Sequence, residues 1–400
     1  MTPKNKTHLE RALRIMPWGT QTNAKRTDRD GMDHRPPFID HASGCRMWDL
    51  DGREFIDYRA ALGPILLGYC YGEIDEAVRK QIDKGVLFSM ASPIEAEAAE
   101  EVLQTIGWAE QIRFMKSGVD ACTCCIRLAR SHTGRDHILT VGYHGYHDWF
   151  ALGWPKPGVP DALRPFVHEI TYGDCEAADR VFAEHGHELA AAIVVPVEWH
   201  RNPDQAFLAH LRQRCTEHGA ALVFDEVLTG FRLEPAGAAG WFGITPDMAA
   251  YAKSFANGYP LSAFAGSREW METLNQTIIT TTYAGETLSL AAVCAVMKLL
   301  RREPVHEHLF RLGSDLRKGF EEIFRETGFP ASTVGIDLAT VIDFSPAGEE
   351  AETLHQRLFN ALYDRGIFAN EQWFITYSHQ EADIAQTLEA MRECVHLVLD

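Results

Sequence analysis

Positive charge is scarce in this chain: 38 Lys and Arg stand against 56 Asp and Glu, a formal net charge of −18 over 400 residues. Nucleic acid and acidic membranes are bound through a basic footprint, so neither is expected as a partner. Long apolar runs are missing too. No stretch approaches the roughly 20 residues that span a bilayer. The opening Met1-Thr-Pro-Lys-Asn-Lys-Thr-His-Leu-Glu10 lacks the apolar centre of a signal peptide, so a cytoplasmic location is expected. Paired cysteines are absent as well. The nine cysteines are scattered apart from Cys122, Cys124 and Cys125. That spacing is not the Cys-x-x-Cys of a zinc site, and no second cluster completes a ligand set. They read as small, reduced, buried helix residues, and no metal is expected. Low-complexity tracts and internal repeats are lacking, which leaves an ordinary globular composition with length for two or three domains.

Hydrophobic patterning divides what is present. A helix is expected over His8–Ile15, then a hairpin turning at Asp51-Gly52 between apolar runs. From there helical patterns (Ile74–Lys84, Pro93–Ile106, Asp120–Ser131, Gln205–His218) alternate with short apolar runs (Gln111–Met115, His137–Val141, Ala191–Pro196, Ala220–Phe224). Continuous apolar strands separated by helices predict an α/β fold with a mostly parallel central sheet, covered on both faces. Beyond Leu300 the pattern changes to helices at Val305–Thr327, Ala351–Arg365 and Glu381–Val398 with short strands between, a smaller α+β domain. The expected division is 1–58, packing with the small domain, 59–300 as the large domain, and 301–400 as the small one.

Four segments carry chemistry. Lys253 stands in Tyr251-Ala-Lys-Ser-Phe-Ala-Asn-Gly-Tyr-Pro260, after an apolar run that closes on Asp225-Glu226. A lysine before a Gly/Pro loop and a carboxylate at a buried strand end suit a pyridine-based cofactor, the lysine as nucleophile and the carboxylate on the ring nitrogen. A solvated lysine beside a turn has the same local sequence. Lys116-Ser117-Gly118-Val119-Asp120 leads into a helix, where free N–H groups and the helix dipole favour a phosphate, or where Ser117 is a simple cap. Tyr143-His144-Gly145-Tyr146-His147-Asp148 follows an apolar strand, at the end where ligands bind in parallel sheets, and offers an aromatic for stacking. The same loop could be polar and inert. A metal between His144 and His147 is disfavoured, since no carboxylate-plus-imidazole set is placed for it.

In this order the motifs resemble the class III aminotransferases of pyridoxal phosphate (PLP) enzyme fold type I, and most nearly their glutamate-1-semialdehyde aminomutase-like branch. The resemblance runs from Met16-Pro17 to the C-terminal helix, through Trp48-Asp-Leu-Asp-Gly-Arg-Glu-Phe-Ile-Asp57, Ile126–Arg135, Phe224–Arg232 and the Lys253 segment. It implies that Lys253 carries the aldimine with pyridoxal 5′-phosphate and shuttles the proton, and that Asp225 pairs with the pyridine nitrogen. It implies further that Val227 packs under the ring while Tyr143, with His144 beside it, covers the other face. Ser117, Gly118 and the Val119 backbone would hold the phosphate. Thr282 matches a threonine that reaches the phosphate of the neighbouring subunit, so a homodimer with shared active sites is implied.

Departures from the family pattern bear on the reaction. Val119 replaces the usual threonine after Ser-Gly, Val195 the usual Glu before Pro196, and Gly285-Glu286-Thr287 the usual Gly-Asn-Pro. The last variant resembles members acting in polysaccharide and amino-sugar pathways. The leading expectation is therefore transfer from an amino-acid donor to a carbonyl acceptor such as a sugar or cyclitol. Intramolecular transfer of the glutamate-1-semialdehyde 2,1-aminomutase type is the alternative. A lysine-retaining regulatory homologue is the third reading, disfavoured because binding alone does not need both Lys253 and Asp225.

Overall fold

The computed structural model describes residues 2–27, 31, 33–153 and 158–399. They fall into two compact units, one of Gly72–Glu198 with Pro203–His306 and one of Met1–Tyr71, Trp199–Asn202 and Glu307–Asp400. Among the described residues no helix is long and apolar enough to cross a membrane.

The first unit is organised by seven strands: β1 (Gln111–Met115), β2 (His137–Val141), β3 (Val167–Glu169), β4 (Leu189–Val194), β5 (Ala221–Glu226), β6 (Met248–Tyr251) and β7 (Ser262–Gly266). They lie in the order β1-β7-β6-β5-β4-β2-β3. Strands β3, β2, β4, β5 and β6 run parallel, and β7 is antiparallel to both its neighbours. Residues of β4 and β5 are buried on both faces, which is why they read as unbroken apolar runs. Strand β5 continues two residues past the expected end at Phe224, because both carboxylates that follow find partners inside the fold. Strands β6 and β7 escape a sequence reading: Met-Ala-Ala-Tyr and Ser-Ala-Phe-Ala-Gly hold no β-branched residue to mark them.

The helix Gly118–Thr133 packs across this sheet with Ala121, Cys122, Cys125, Leu128 and Ala129 in the core. Its start is set by Ser117 and Asp120, which exchange side-chain and backbone bonds as a capping box, and its end by Gly134 at φ 67°. Since β1 and β6 both oppose β7, they are parallel to each other. The segments leaving β1, β2, β5 and β6 therefore emerge along one edge of the sheet, the edge where open α/β sheets bind ligands.

The second unit holds a four-stranded sheet, Ile39–Ser43, Arg46–Asp49, Glu54–Asp57 and Ile367–Phe368, and a three-stranded one, Ser332–Val334, Ala339–Asp343 and Gln372–Phe374. The hairpin expected at Asp51-Gly52 is there, with Trp48 opposite Glu54 and Gly52 at φ 81°. Trp373 is fully buried, edge-on to Phe320 at 4.8 Å and beside Tyr58 at 5.2 Å.

Candidate active site

The sheet edge gathers the chemistry from strand ends that are far apart in sequence. Lys253 follows β6 and adopts φ +49°, a left-handed conformation that costs a non-glycine residue about 1–2 kcal/mol. Such strain persists only where surrounding structure over-determines it, and it concentrates at functional sites. Burial lowers the Lys253 pKa below its ordinary 10.5; Asp225 pulls it back up, and the fully buried Arg232 pushes it down again. Arg232 itself is lowered to about 9 by burial.

Adjacent side chains on a strand point to opposite faces, and that alternation separates the two carboxylates of β5. Asp225 is 5 % exposed. Its Oδ2 lies 2.7 Å from His144 Nδ1, and its Oδ1 accepts the Val227 N–H at 3.0 Å. The thiol of Cys122 also turns to this carboxylate; burial, and then the charge of Asp225, push that thiol well above its ordinary pKa. Glu226 is directed elsewhere. It accepts from Thr229 Oγ1 at 2.6 Å and from the N–H groups of Ala238 and Ala239 at 2.9 and 3.1 Å, so it anchors the helix Gly237–Phe242. Burial nevertheless raises Glu226 to about 7.

The loop after β2 divides its histidines. His144 turns inward to Asp225, while His147 bonds Thr123 Oγ1 at 2.7 Å, on the second turn of helix Gly118–Thr133. Only 3 % of His144 is exposed, Phe150 stands edge-on to its ring at 5.4 Å, and its buried Nε2 has no partner among the described residues. Tyr143 is exposed along this edge; partial burial and the nearby Asp225 raise its phenol.

At the helix start, Gly118 leaves no room for a side chain: a Cβ there would meet the Val227 methyls at 2.8 and 2.9 Å. Val119 is buried, and Gly145, at φ +106°, lies so close that its Cβ would sit 2.5 Å from the Val119 side chain. The position without a hydroxyl thus packs the loop after β2 down onto the helix. Ser117 Oγ donates to Asp120 Oδ2 at 2.6 Å, and Ser262 Oγ donates to the Ser117 carbonyl at 2.7 Å. Thr282 lies in an exposed turn.

Two participants carry no local sequence signal. Cys122 reaches Asp225 only because the helix lies across β5. Glu286 caps the helix Thr287–Arg302 through the Leu288 and Ser289 N–H groups and binds Lys116 Nζ at 3.0 Å. Against the penalty of burial, bonds from Ser289 and Lys116 hold the Glu286 carboxyl below its usual range. Lys116, the other lysine near the helix start, is thereby tied to Glu286 and to the Pro260 carbonyl at 3.0 Å.

Known proteins resemble the chain along its whole length. Residues 29–395 match the family model described as aminotransferase class-III. A glutamate-1-semialdehyde 2,1-aminomutase of Aquifex aeolicus is 32 % identical, over 98 % of this chain and 99 % of its own length. The FumI protein of Sphingopyxis sp. MTA144, solved as its PLP internal aldimine form, superposes with a TM-score of 0.94 at 30 % identity, covering 100 % of this chain and 97 % of that one. An omega-transaminase of Sphaerobacter thermophilus gives a TM-score of 0.90 at 25 % identity, covering 99 % and 98 %.

Proposed function

The chain belongs to the class III aminotransferases and is a PLP-dependent enzyme of fold type I; within that family we propose that it moves an amino group from an amino-acid donor to a separate carbonyl acceptor. The observation that supports this reading is the likeness to a transaminase and to an omega-transaminase, each at a TM-score of 0.90 and 25 % identity over nearly the whole of both chains. The relatives named aminomutase at 31–32 % identity favour intramolecular transfer as the second reading.

The donor set suits the cofactor. An ionised carboxylate offers about four lone-pair sites. Asp225 uses one oxygen on His144 and one on Val227, with Cys122 alongside, which leaves it able to accept a pyridinium N–H. The Gly118 and Val119 N–H groups lie in the first helical turn, where no intrahelical acceptor exists, and would hold the phosphate. Val227 and Tyr143 would flank the ring. When bound, PLP supplies an electron sink and carries the amino group between two half-reactions.

The protein's own part is proton handling and orientation. Lys253 Nζ, whose charging burial and then Arg232 disfavour, takes the proton from the substrate carbon and returns it to the neighbouring position. His144 holds Asp225 in place and supports its negative charge. Thr282 would act in the site of a second chain. Support for a homodimer comes from exposed apolar side chains near it: Met90 is 82 % exposed, Ile278 80 % and Tyr283 59 %. Thr287 ties these two stretches together, donating to the carbonyls of Gly85 and Val86.

The test uses purified holoenzyme and the cofactor's absorbance. Glutamate, a β-amino acid or an ω-amine, given without acceptor, is expected to convert the cofactor to its amine form stoichiometrically. A panel of carbonyl sugars, cyclitols and keto acids then restores the spectrum. Multiple turnovers of an amino-aldehyde with no donor, and no response to the amines, would establish the aminomutase reading instead.

A further inference from the structure

At the opposite end of β2 from the site, three imidazoles converge from three segments of chain. His137 is the first residue of β2, His168 lies in the edge strand β3, and His185 ends the helix Cys175–His185. One ring nitrogen from each lies within 4.8 Å of those of the other two. His137 Nδ1 and His168 Nε2 are 3.0 Å apart, and the rings of His168 and His185 are stacked at 4.2 Å. Glu188, just before β4, places Oε2 3.0 Å from His185 Nδ1 and 3.9 Å from His137 Nδ1. His137 and Tyr143 are separated by the whole of β2, roughly 20 Å at the ordinary rise per residue, so this cluster is no part of the PLP site.

We propose that His137, His168 and His185, with Glu188, form a binding site for a divalent transition ion of the zinc class. Tetrahedral bonds of about 2.0–2.1 Å put neighbouring ligand atoms about 3.3 Å apart. The spacings of 3.0 and 3.9 Å straddle that value, so small side-chain rotations close the set. Imidazoles and a carboxylate without thiolate select zinc, nickel, cobalt or copper over magnesium and calcium. The site has access to solvent, since 33 % of the His185 side chain and 43 % of Glu188 are exposed. Its structural consequence is a clip. Among the described residues the three-residue β3 joins the sheet only through β2, and a bound ion would pin it to β2 and to the helix behind.

The experiment titrates zinc chloride into untagged, chelator-treated holoenzyme by calorimetry. One equivalent per chain is expected, together with a rise in Tm and, with cobalt in place of zinc, the visible bands of a tetrahedral ion. His168→Gln should abolish all three while leaving the cofactor absorbance, which reports folding, unchanged. If that variant fails to take up cofactor, His185→Gln at the exposed helix end carries the same test. No uptake by the parent, uptake without a change in Tm, or equal uptake by the variant overturns the proposal and leaves a hydrogen-bonded imidazole stack.

Discussion

Removing His144 isolates the support of Asp225 from the chemistry itself. His144→Ala deletes a donor 2.7 Å from a carboxylate that is 5 % exposed. Hydrogen bonds to charged groups contribute about 1.5–3 kcal/mol, and the lost edge contact with Phe150 at 5.4 Å adds about 0.5–1.5 kcal/mol. Denaturant titration of the cofactor-free protein should then show a loss of about 2–4.5 kcal/mol, the sum of those two ranges. Catalysis should suffer separately. If the hydrogen-bond part is felt at the reacting centre, the half-reaction with donor slows about 10–100-fold, at roughly 1.4 kcal/mol per tenfold. Stopped-flow absorbance of the bound cofactor measures it. A double-mutant cycle then tests the route: with Asp225→Asn already present, His144→Ala should cost less than about threefold, because the partner it served is gone. His144→Gln, which keeps a donor, should recover part of the rate. Equal losses in both backgrounds, or a single variant within about twofold of the parent, would refute the coupling.

Lys253→Ala should end the exchange of amino group, and borohydride treatment of the native holoenzyme should fix the cofactor to Lys253; a label on Lys116, which Glu286 holds at 3.0 Å, would reassign the role. Because the folded pKa of Lys253 lies below 10.5, its reactive neutral form is populated at lower pH than in a free lysine. Recapture of PLP by the cofactor-free protein should therefore rise with pH and level off below 10.5, and a midpoint at or above that value would contradict the burial argument. The linkage has the same sign: the cofactor-free protein loses stability as pH falls through the lowered folded pKa, since the buried ammonium is disfavoured. Gly118→Ala brings a methyl to 2.8 Å from Val227, so overpacking should cost about 1–3 kcal/mol and weaken PLP binding, with Val227→Ala in the same chain relieving both. Mixing Lys253→Ala chains with Thr282→Ala chains should restore one complete site per hybrid dimer; activity no greater than the sum of the parts would place Thr282 outside its partner's site.

Local chemistry alone determined much of this protein. Helices Pro93–Ile106 and Gln205–His218, and strands β1 and β2, lie where apolar periodicity and turn residues put them. The helix Gly118–Thr133 was expected from Asp120 with Ser117 as a possible cap; it starts two residues earlier, because Ser117 and Asp120 close a capping box. The lysine before its Gly/Pro loop was legible too, as a motif. Its left-handed backbone and depressed pKa were not, since both arise from what surrounds it. Tertiary structure alone decided which of two adjacent carboxylates faces the site. Strand alternation makes Asp225 and Glu226 equivalent until the loop after β2 delivers His144 to one face and helix Gly237–Phe242 presents N–H groups to the other. The same holds for His144 against His147, for Cys122, and for His137, His168 and His185, which meet across 48 residues of sequence. Such contacts join strand ends through the sheet order, and no local spacing encodes the order in which strands pair.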